Sequence, residues 1–325
     1  METTAYIIET AREFGLGPVQ RLESITQGNA RTYRLQTSQG VFFIKPAHQQ
    51  PEEWLALYGV TERLLNAQGV RQARMMLTPG GSPASARGYS AFEFLPGEAV
   101  RAPNGRQFEA HVVHLAAYNR ALRLVPIDPE MVSFLTQPAD LWRRAASLEY
   151  MLDRFRLDPA ALGISERVAQ TTRAATDALS AWRPRLQRLS RQLVHSDIGP
   201  GNVLYDNDRV VAIVDFTPAY EPHAYALCIS LFWHCVFDQP EDTALARIAV
   251  AVRIYSAHHV LSAEERACLY ALMVRATAYR LFARLLARAA AGRPGEAAPF
   301  SMGSTEKMAG CVERVLRWGP KMAEI

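Results

Sequence analysis

Between Leu193 and Phe216, in LVHSDIGPGNVLYDNDRVVAIVDF, a histidine (His195), two acids (Asp197 and Asp215) and an amide (Asn202) are set along a loop and a hairpin. The segment HSDIGPGN is neither helix nor strand, because Pro200 between Gly199 and Gly201 breaks both. VLYD and RVVAIVD read as two strands about the polar turn Asp206-Asn207-Asp208. A hairpin returns the chain toward its start, so Asp215 is expected near Asn202 and Asp197. One amide and two acids beside a loop suit phosphoryl transfer. One acid orients an attacking hydroxyl and takes its proton, while hard oxygen ligands hold Mg2+ against the nucleotide phosphates. In this assignment Asp197 is the base, and Asn202 and Asp215 are the metal ligands. His195 reads as a structural hydrogen-bonding residue, and Ser196 lacks the G-x-S-x-G setting of a nucleophile.

The spacing His-x-Asp-x-x-x-x-Asn followed by Asp-Phe is similar to the catalytic and metal loops of protein kinases. The whole stretch resembles the motif of the aminoglycoside phosphotransferase, choline kinase and type II homoserine kinase superfamily. TQGNARTYRLQTSQGVFFIKP resembles that family's nucleotide-loop hairpin and lysine strand, and FEFLPGE its hinge between lobes. The resemblance spans residues 24 to about 237, and the later helices look most like the homoserine kinase branch. Two positions depart from the family pattern: Ser196 replaces a common glycine, and Ala226 stands where an aspartate is usual; Thr217 rather than glycine follows Asp215-Phe216, as is usual in the small-molecule branch. The resemblance implies an α+β, two-lobed protein-kinase-like fold, with an N-terminal antiparallel sheet lobe (1–95) and a larger helical lobe (96–325). It also implies ATP and Mg2+, with adenine against Phe92 and the backbone of Glu93 and Leu95.

Lys45 supports this independently. Lysine occurs only at 45, 307 and 321, so a lone lysine in the strand VFFIKP stands out in an arginine-biased chain. Lysine reaches phosphates as a compact point charge that arginine does not reproduce. With Lys45 on the following strand, the backbone N–H groups of Gly28 and Asn29 become phosphate contacts. Glu53 or Glu62, on the next helix, is expected to pair with Lys45.

The elements that must hold these residues are legible in outline. An N-terminal helix ends at the Gly15–Pro18 turn, and VQRLESI, RTYRLQTS and VFFIKPA alternate as antiparallel strands. A helix opened by Pro51 and closed by Gly69 follows, then a strand pair at RMMLTP and GYSAFEFLPG. From Arg106 long helices take over: 106–125, 138–155, 165–189 and 262–290, with a flexible connection at 289–300 before a terminal helix. RQLV, before the loop, ends a strand or a helix.

Composition narrows the function classes. The 325 residues are 49% apolar, enough for a substantial core, and the net charge of +4 contains no run of five or six like charges. A nucleic-acid surface is therefore not expected. Cys228, Cys235, Cys268 and Cys311 form no CxxC pair and read as reduced, buried thiols. His111 and His114 share a helix face without a third ligand, so they are expected to be packed rather than metal-bound. No signal peptide or membrane span is read, which points to a cytoplasmic protein. The acceptor is expected to be a small hydroxylated molecule such as an amino alcohol, a homoserine-like metabolite or an aminoglycoside. It would dock near Thr217–Asp242, where aromatics and acids suit a cation. The contrasting readings are a non-catalytic nucleotide-binding degenerate kinase and a protein Ser/Thr kinase; no activation segment ending in Ala-Pro-Glu is present. ATP versus GTP and the oligomeric state are left open.

Overall fold

The computed structural model describes residues 2–27, 30–47, 52–136, 146–154, 163–291, 304–322 and 325. Strands β1 (Val19–Gln27), β2 (Ala30–Thr37), β3 (Gly40–Pro46) and β4 (Tyr89–Glu93) form one antiparallel sheet in chain order. Strand alternation gives this sheet two different faces. Tyr33, Leu35, Phe42, Ile44 and Ala91 lie on one face and bury themselves against Ile7, Ala11, Phe14 and Leu16 of helix α1 (Glu2–Glu13) and the turn after it. The register sets Ile44 opposite Ala91, and therefore Phe43 opposite Phe92 and Lys45 opposite Ser90. Lys45 is thus turned away from the α1 core, toward helix α2 (Glu52–Ala67).

RMMLTP does not make a strand. Met75 forms a single bridge to Phe92, and only the bonds Met76 N–H to the Ala91 carbonyl and Glu93 N–H to the Arg74 carbonyl join it to β4. Pro79 lacks an N–H, and the turn closed by Thr78 and Ser82 leads the chain away. The connection to the helical part passes through Gly97, whose φ of +140° is outside the range of other residues. A Cβ there would lie 3.0 Å from Leu204 Cβ and 3.2 Å from the Tyr205 carbonyl oxygen, so the approach needs glycine.

Strand β5 (Glu98–Ala99) pairs with β7 (Val203–Asp206), which pairs with β8 (Arg209–Ile213). Strand β6 (Gln192–His195) pairs with β9 (Pro218–Glu221). RQLV is therefore strand, and its partner PAYE was not read as one: Pro218 masks a strand that only the pairing creates. Helix α3 (Gly105–Leu122) starts with a reciprocal Asn104/Gln107 capping box, and both side chains also reach the β7–β8 turn. Beyond helix α4 (Pro129–Thr136), the described part of the helix expected at 138–155 contains a π turn, Tyr150–Arg154; residues 137–145 and 155 lie outside the described residues.

The main core gathers α3, α5 (Glu166–Leu186), α6 (His223–Leu231), α7 (Glu241–His258), α8 (Leu269–Ala291) and α9 (Thr305–Arg317). α8 packs against α5, α6 and α9. The helix expected at 262–290 is in two pieces, because a Ser262/Glu265 capping box builds a separate short helix, Ala263–Ala267. No helix of the described residues is long and apolar enough to cross a membrane. All four cysteines are buried and free.

α6 continues as a π turn, Phe232–Val236, that seats His234 against α3. The His234 ring lies 4.9 Å from that of His111 and 5.8 Å from that of Phe108, and His111 Nε2 contacts Ser230 Oγ at 2.6 Å. The rings of His111 and His234 are thus buried against one another between α3 and the end of α6. Burial holds His114 and His234 down to about 4 from 6.5, and His111 well below 6.5. The unfolded chain takes up these protons first, so the stability from neutral burial is complete above pH 6.5 and is lost as pH falls from 6.5 toward 4. We expect urea midpoints to drop between pH 7 and 5, and His234→Phe to weaken that drop. An identical pH dependence in the variant would show that His234 is not buried neutral.

Candidate active site

The loop between β6 and β7 is built on the ring of His195, which is fully buried. His195 Nδ1 accepts from the backbone N–H of Asp197 at 3.1 Å and of Thr217 at 3.4 Å. The proton must therefore sit on Nε2, which donates to the Val214 carbonyl at 3.1 Å. Burial lowers the pKa of His195 further, so a neutral ring ties the Asp197 loop to both sides of Asp215. His195 is structural, as its position before the loop suggests. Ser196 plays a similar part: its N–H and its hydroxyl both donate to the Thr217 carbonyl, at 2.8 and 3.1 Å.

Asn202 is joined to Asp197 and to Val214, the residue before Asp215. Its Nδ2 donates to the Asp197 carbonyl at 2.7 Å, and its carbonyl accepts from Val214 N–H at 2.8 Å. The structure thus brings Asp197, Asn202 and Asp215 together, and the β7–β8 hairpin is the device that does so. Asp215 has φ +57°, a left-handed conformation unusual for aspartate. Strain of this kind persists where the surroundings over-determine the backbone, as the bonds to Val214 and Thr217 do here.

Lys45 joins this group from the sheet. Its Nζ donates to Asp215 Oδ1 at 2.9 Å, and also lies 5.0 Å from the Phe92 ring and 5.4 Å from the Trp54 ring. Neither Glu53 nor Glu62 forms an ion pair with Lys45 among the described residues. The first turn of α2 presents Trp54 to the lysine, and Glu62, about two turns further on, accepts from Asn66 at 2.9 Å. Lys45 holds the Asp215 carboxyl below its ordinary value. Asp197 moves the other way: loss of water raises it, opposed chiefly by Arg280. Asp197 nevertheless opens to solvent at the cleft, with 41% of its side chain exposed; Asp215 is 60% exposed.

Phe92 is buried, 5.2 Å from Tyr58 by ring centroids, so its ring is covered rather than open to an adenine. The Glu93 N–H is committed to the Arg74 carbonyl, and Leu95 is buried just beyond. Gly28 and Asn29 lie outside the described residues. In the segment expected to dock the acceptor, Tyr225, Phe232 and Trp233 are core residues. Three of its acids are held by the chain's own cations: Glu221 by Arg275, Asp238 by Lys307, and Glu241 by Arg317.

Trp233 packs beneath the loop, where a Cβ on Gly199 would meet its Nε1 at 3.2 Å. The residue that sequence reading missed comes from a distant element. Arg280, on α8, faces Asp197 across 3.9 Å. Its only signal in the sequence is a single arginine in the run ATAYRLF.

The phosphotransferase enzyme family matches this chain over residues 22–251. The chain is similar to a homoserine kinase of Zymomonas mobilis subsp. mobilis, 26% identical over 287 residues that cover 84% of this chain and 82% of that protein. Among solved structures it is similar to an amicoumacin kinase in complex with AMP-PNP and Ca2+, with a TM-score of 0.63 at 14% identity, covering 91% and 87% of the two chains. A Plasmodium vivax ethanolamine kinase has a TM-score of 0.60 at 10% identity, covering 94% of this chain and 84% of its own. A thermostable mutant of an aminoglycoside phosphotransferase, with ADP and hygromycin B, has a TM-score of 0.62 at 15% identity, covering 98% and 99%. At these identities the solved structures show the fold: two-lobed and protein-kinase-like, an α+β arrangement.

The two acids affect stability with opposite signs. Asp215, lowered by Lys45, contributes stability above the unfolded carboxylate range and loses it as pH falls through its folded value. Asp197, raised by burial, contributes stability at low pH that is lost as pH rises through its folded value. At pH 7 and without ligand, Asp197→Asn should melt no lower than wild type, with the gap closing as pH drops, and Asp215→Asn should melt lower. Thermal melts in which Asp197→Asn is the less stable of the two variants would contradict this.

Proposed function

The chain belongs to the phosphotransferase enzyme family and is a kinase of small molecules, and on that premise we propose that it transfers the γ-phosphate of ATP to a hydroxyl of an amino alcohol, a homoserine-like metabolite or an aminoglycoside. The observation that carries this reading is the bond between Lys45 and Asp215, 170 positions apart, beside Asn202 and Asp197. A phosphate-binding cation, two hard oxygen donors and a base are the parts the reaction needs. The proposed division between lobes is at 95/96, where β4 has ended and Gly97 leads to β5.

The donor set fits a divalent cation. The Asn202 amide nitrogen is turned to the Asp197 carbonyl, so its oxygen is the outward end, and Asp215, which follows the Val214 bonded to the Asn202 backbone, offers an exposed carboxylate. One carboxylate and one amide suit Mg2+, which takes its remaining ligands from phosphates and water. Asn202 and Asp215 would hold the ion, which when bound neutralises charge on the transferring phosphoryl oxygens. Lys45 would exchange Asp215 for phosphate oxygens as the nucleotide enters; its position on the sheet face turned away from α1 supports this reading. Gly28 and Asn29 would supply backbone N–H groups above the phosphates, and Glu93 and Leu95 backbone groups to the adenine. Asp197 would accept the hydroxyl proton of the acceptor and aim its oxygen at phosphorus. His195 stays neutral throughout, since both ring nitrogens are engaged by backbone.

Two measurements test these assignments, using ATP with a panel of L-homoserine, ethanolamine and hygromycin B. Lys45→Ala should raise KM for ATP by roughly tenfold or more, the worth of a charge-assisted contact, with the fold intact. An unchanged kcat/KM would remove Lys45 from the nucleotide site. Asp197→Asn should lower kcat by about 10²–10⁴-fold while ATP affinity measured by calorimetry stays the same. Undiminished turnover would place the base elsewhere, and ATP binding by the wild type with no turnover on any acceptor would favour a non-catalytic protein.

A further inference from the structure

Arg280 is among the largest fully buried side chains of the molecule, 2% exposed in the middle of α8. Its guanidinium carbon lies 4.7 Å from the Phe232 ring, 4.5 Å from Trp233 and 5.1 Å from Tyr279. Nη1 donates to the Ala276 carbonyl at 3.0 Å. The carboxylate that faces it is Asp197, with Nη2 3.9 Å from Oδ1. That distance is too long for a hydrogen bond and short enough for strong attraction between charges.

A buried guanidinium with no hydrogen-bonded carboxylate among the described residues is costly, and a leucine or methionine would pack among these rings more cheaply. The neighbouring Arg275 shows the contrast: it is equally buried, but it grips Glu221 with two bonds of 2.8 and 2.5 Å. Arg280 has a different geometry and calls for a different explanation. On the opposite side of the same carboxylate, Asn202 Nδ2 approaches Asp197 Oδ2 at 3.4 Å. One oxygen of Asp197 is therefore drawn toward a fixed cation and the other toward a fixed amide, which sets the plane of the carboxylate. The cation is itself immobile, since three rings and its own helix hold it.

We infer that Arg280 is a positioning residue for phosphoryl transfer, orienting through its charge the carboxylate that Asp197 presents to the acceptor hydroxyl. The inference rests on the assignment of Asp197 as base. Misplacement of a reacting group by about 1 Å can cost on the order of 10²-fold, so loss of this orientation acts on kcat. It leaves nucleotide binding alone, because Lys45, Asn202 and Asp215 are held by other contacts.

The test compares wild type, R280M, R280K, D197N and the double variant R280M/D197N, with ATP and whichever of L-homoserine, ethanolamine or hygromycin B gives the highest kcat/KM. We expect R280M to lower kcat roughly 10- to 100-fold with KM for ATP within about twofold, and R280K to recover most of the loss. On the D197N background, R280M should add less than about a twofold loss, because the residue it acts through is already neutral. Unchanged kcat in R280M, or its full loss repeated on D197N, would overturn the inference. Should R280M fail to fold, Arg280→Gln carries the same expectation, since it removes the charge while keeping a planar head among the rings. A crystal structure of the uncharged variant gives a readout independent of turnover: a rotated Asp197 carboxylate supports the inference, and an unmoved one overturns it. If D197N alone keeps wild-type turnover, the base is assigned wrongly, and the Asp197 rotamer still decides the role of Arg280.

Discussion

The neutral ring of His195 is the constraint from which the rest of the site follows. An imidazole that accepts two backbone N–H groups and donates to a backbone carbonyl has one tautomer and one orientation available. Through those three bonds β6, the Asp197 loop and the strained backbone at Asp215 become one rigid unit. Burial makes protonation of the ring unfavourable, which favours the neutral tautomer that holds the unit together. The left-handed conformation at Asp215 is tolerable because it is held on both sides. Removing the ring would release the strain and the geometry together.

The charged groups around this unit fall into two kinds. Some are ordinary surface pairs, such as Arg87 with Glu9 or Arg317 with Glu241, which contribute little in water. Others are charges drawn into the interior: Lys45 beside aromatic rings, Arg275 under Tyr225, and Arg280 among three rings. Two of these, Lys45 and Arg280, face the acids of the site. Aromatic faces recur there because they let a cation leave water while keeping an electrostatic partner. The segment after Thr217 contributes to this pattern by packing inward: Tyr225, Phe232 and Trp233 are buried, and Trp233 lies beneath the loop at Gly199.

Much of the arrangement was legible because it is local. Asp197, Asn202 and Asp215 lie within one loop and one hairpin, and a hairpin closes on itself whatever the rest of the chain does. The three N-terminal strands could be read from alternation, since β2 and β3 each have one buried face and β1 packs Val19 and Leu22 against the same core. β9 was missed because PAYE has no pattern of its own and becomes strand only by pairing with β6. RMMLTP failed for the opposite reason: it has the composition of a strand, and the turn that follows lets it make only a bridge. The partner of Lys45 was expected on α2 by analogy, while in the structure the near side of α2 offers a tryptophan.

The sequence by itself determined which chemistry is present: a rare lysine mid-strand, an acid and an amide on a Pro-Gly loop, and a second acid at the end of a hairpin. Residue type and short spacing carry that information, since covalent connection already limits where such groups can go. The tertiary structure decided which charges meet. Lys45 reaches Asp215, and Arg280 reaches Asp197, only because a sheet and a long helix converge on one loop from opposite ends of the chain. Contacts of that kind depend on how whole elements pack, and side-chain packing over many residues leaves no periodic trace in the residues that finally touch.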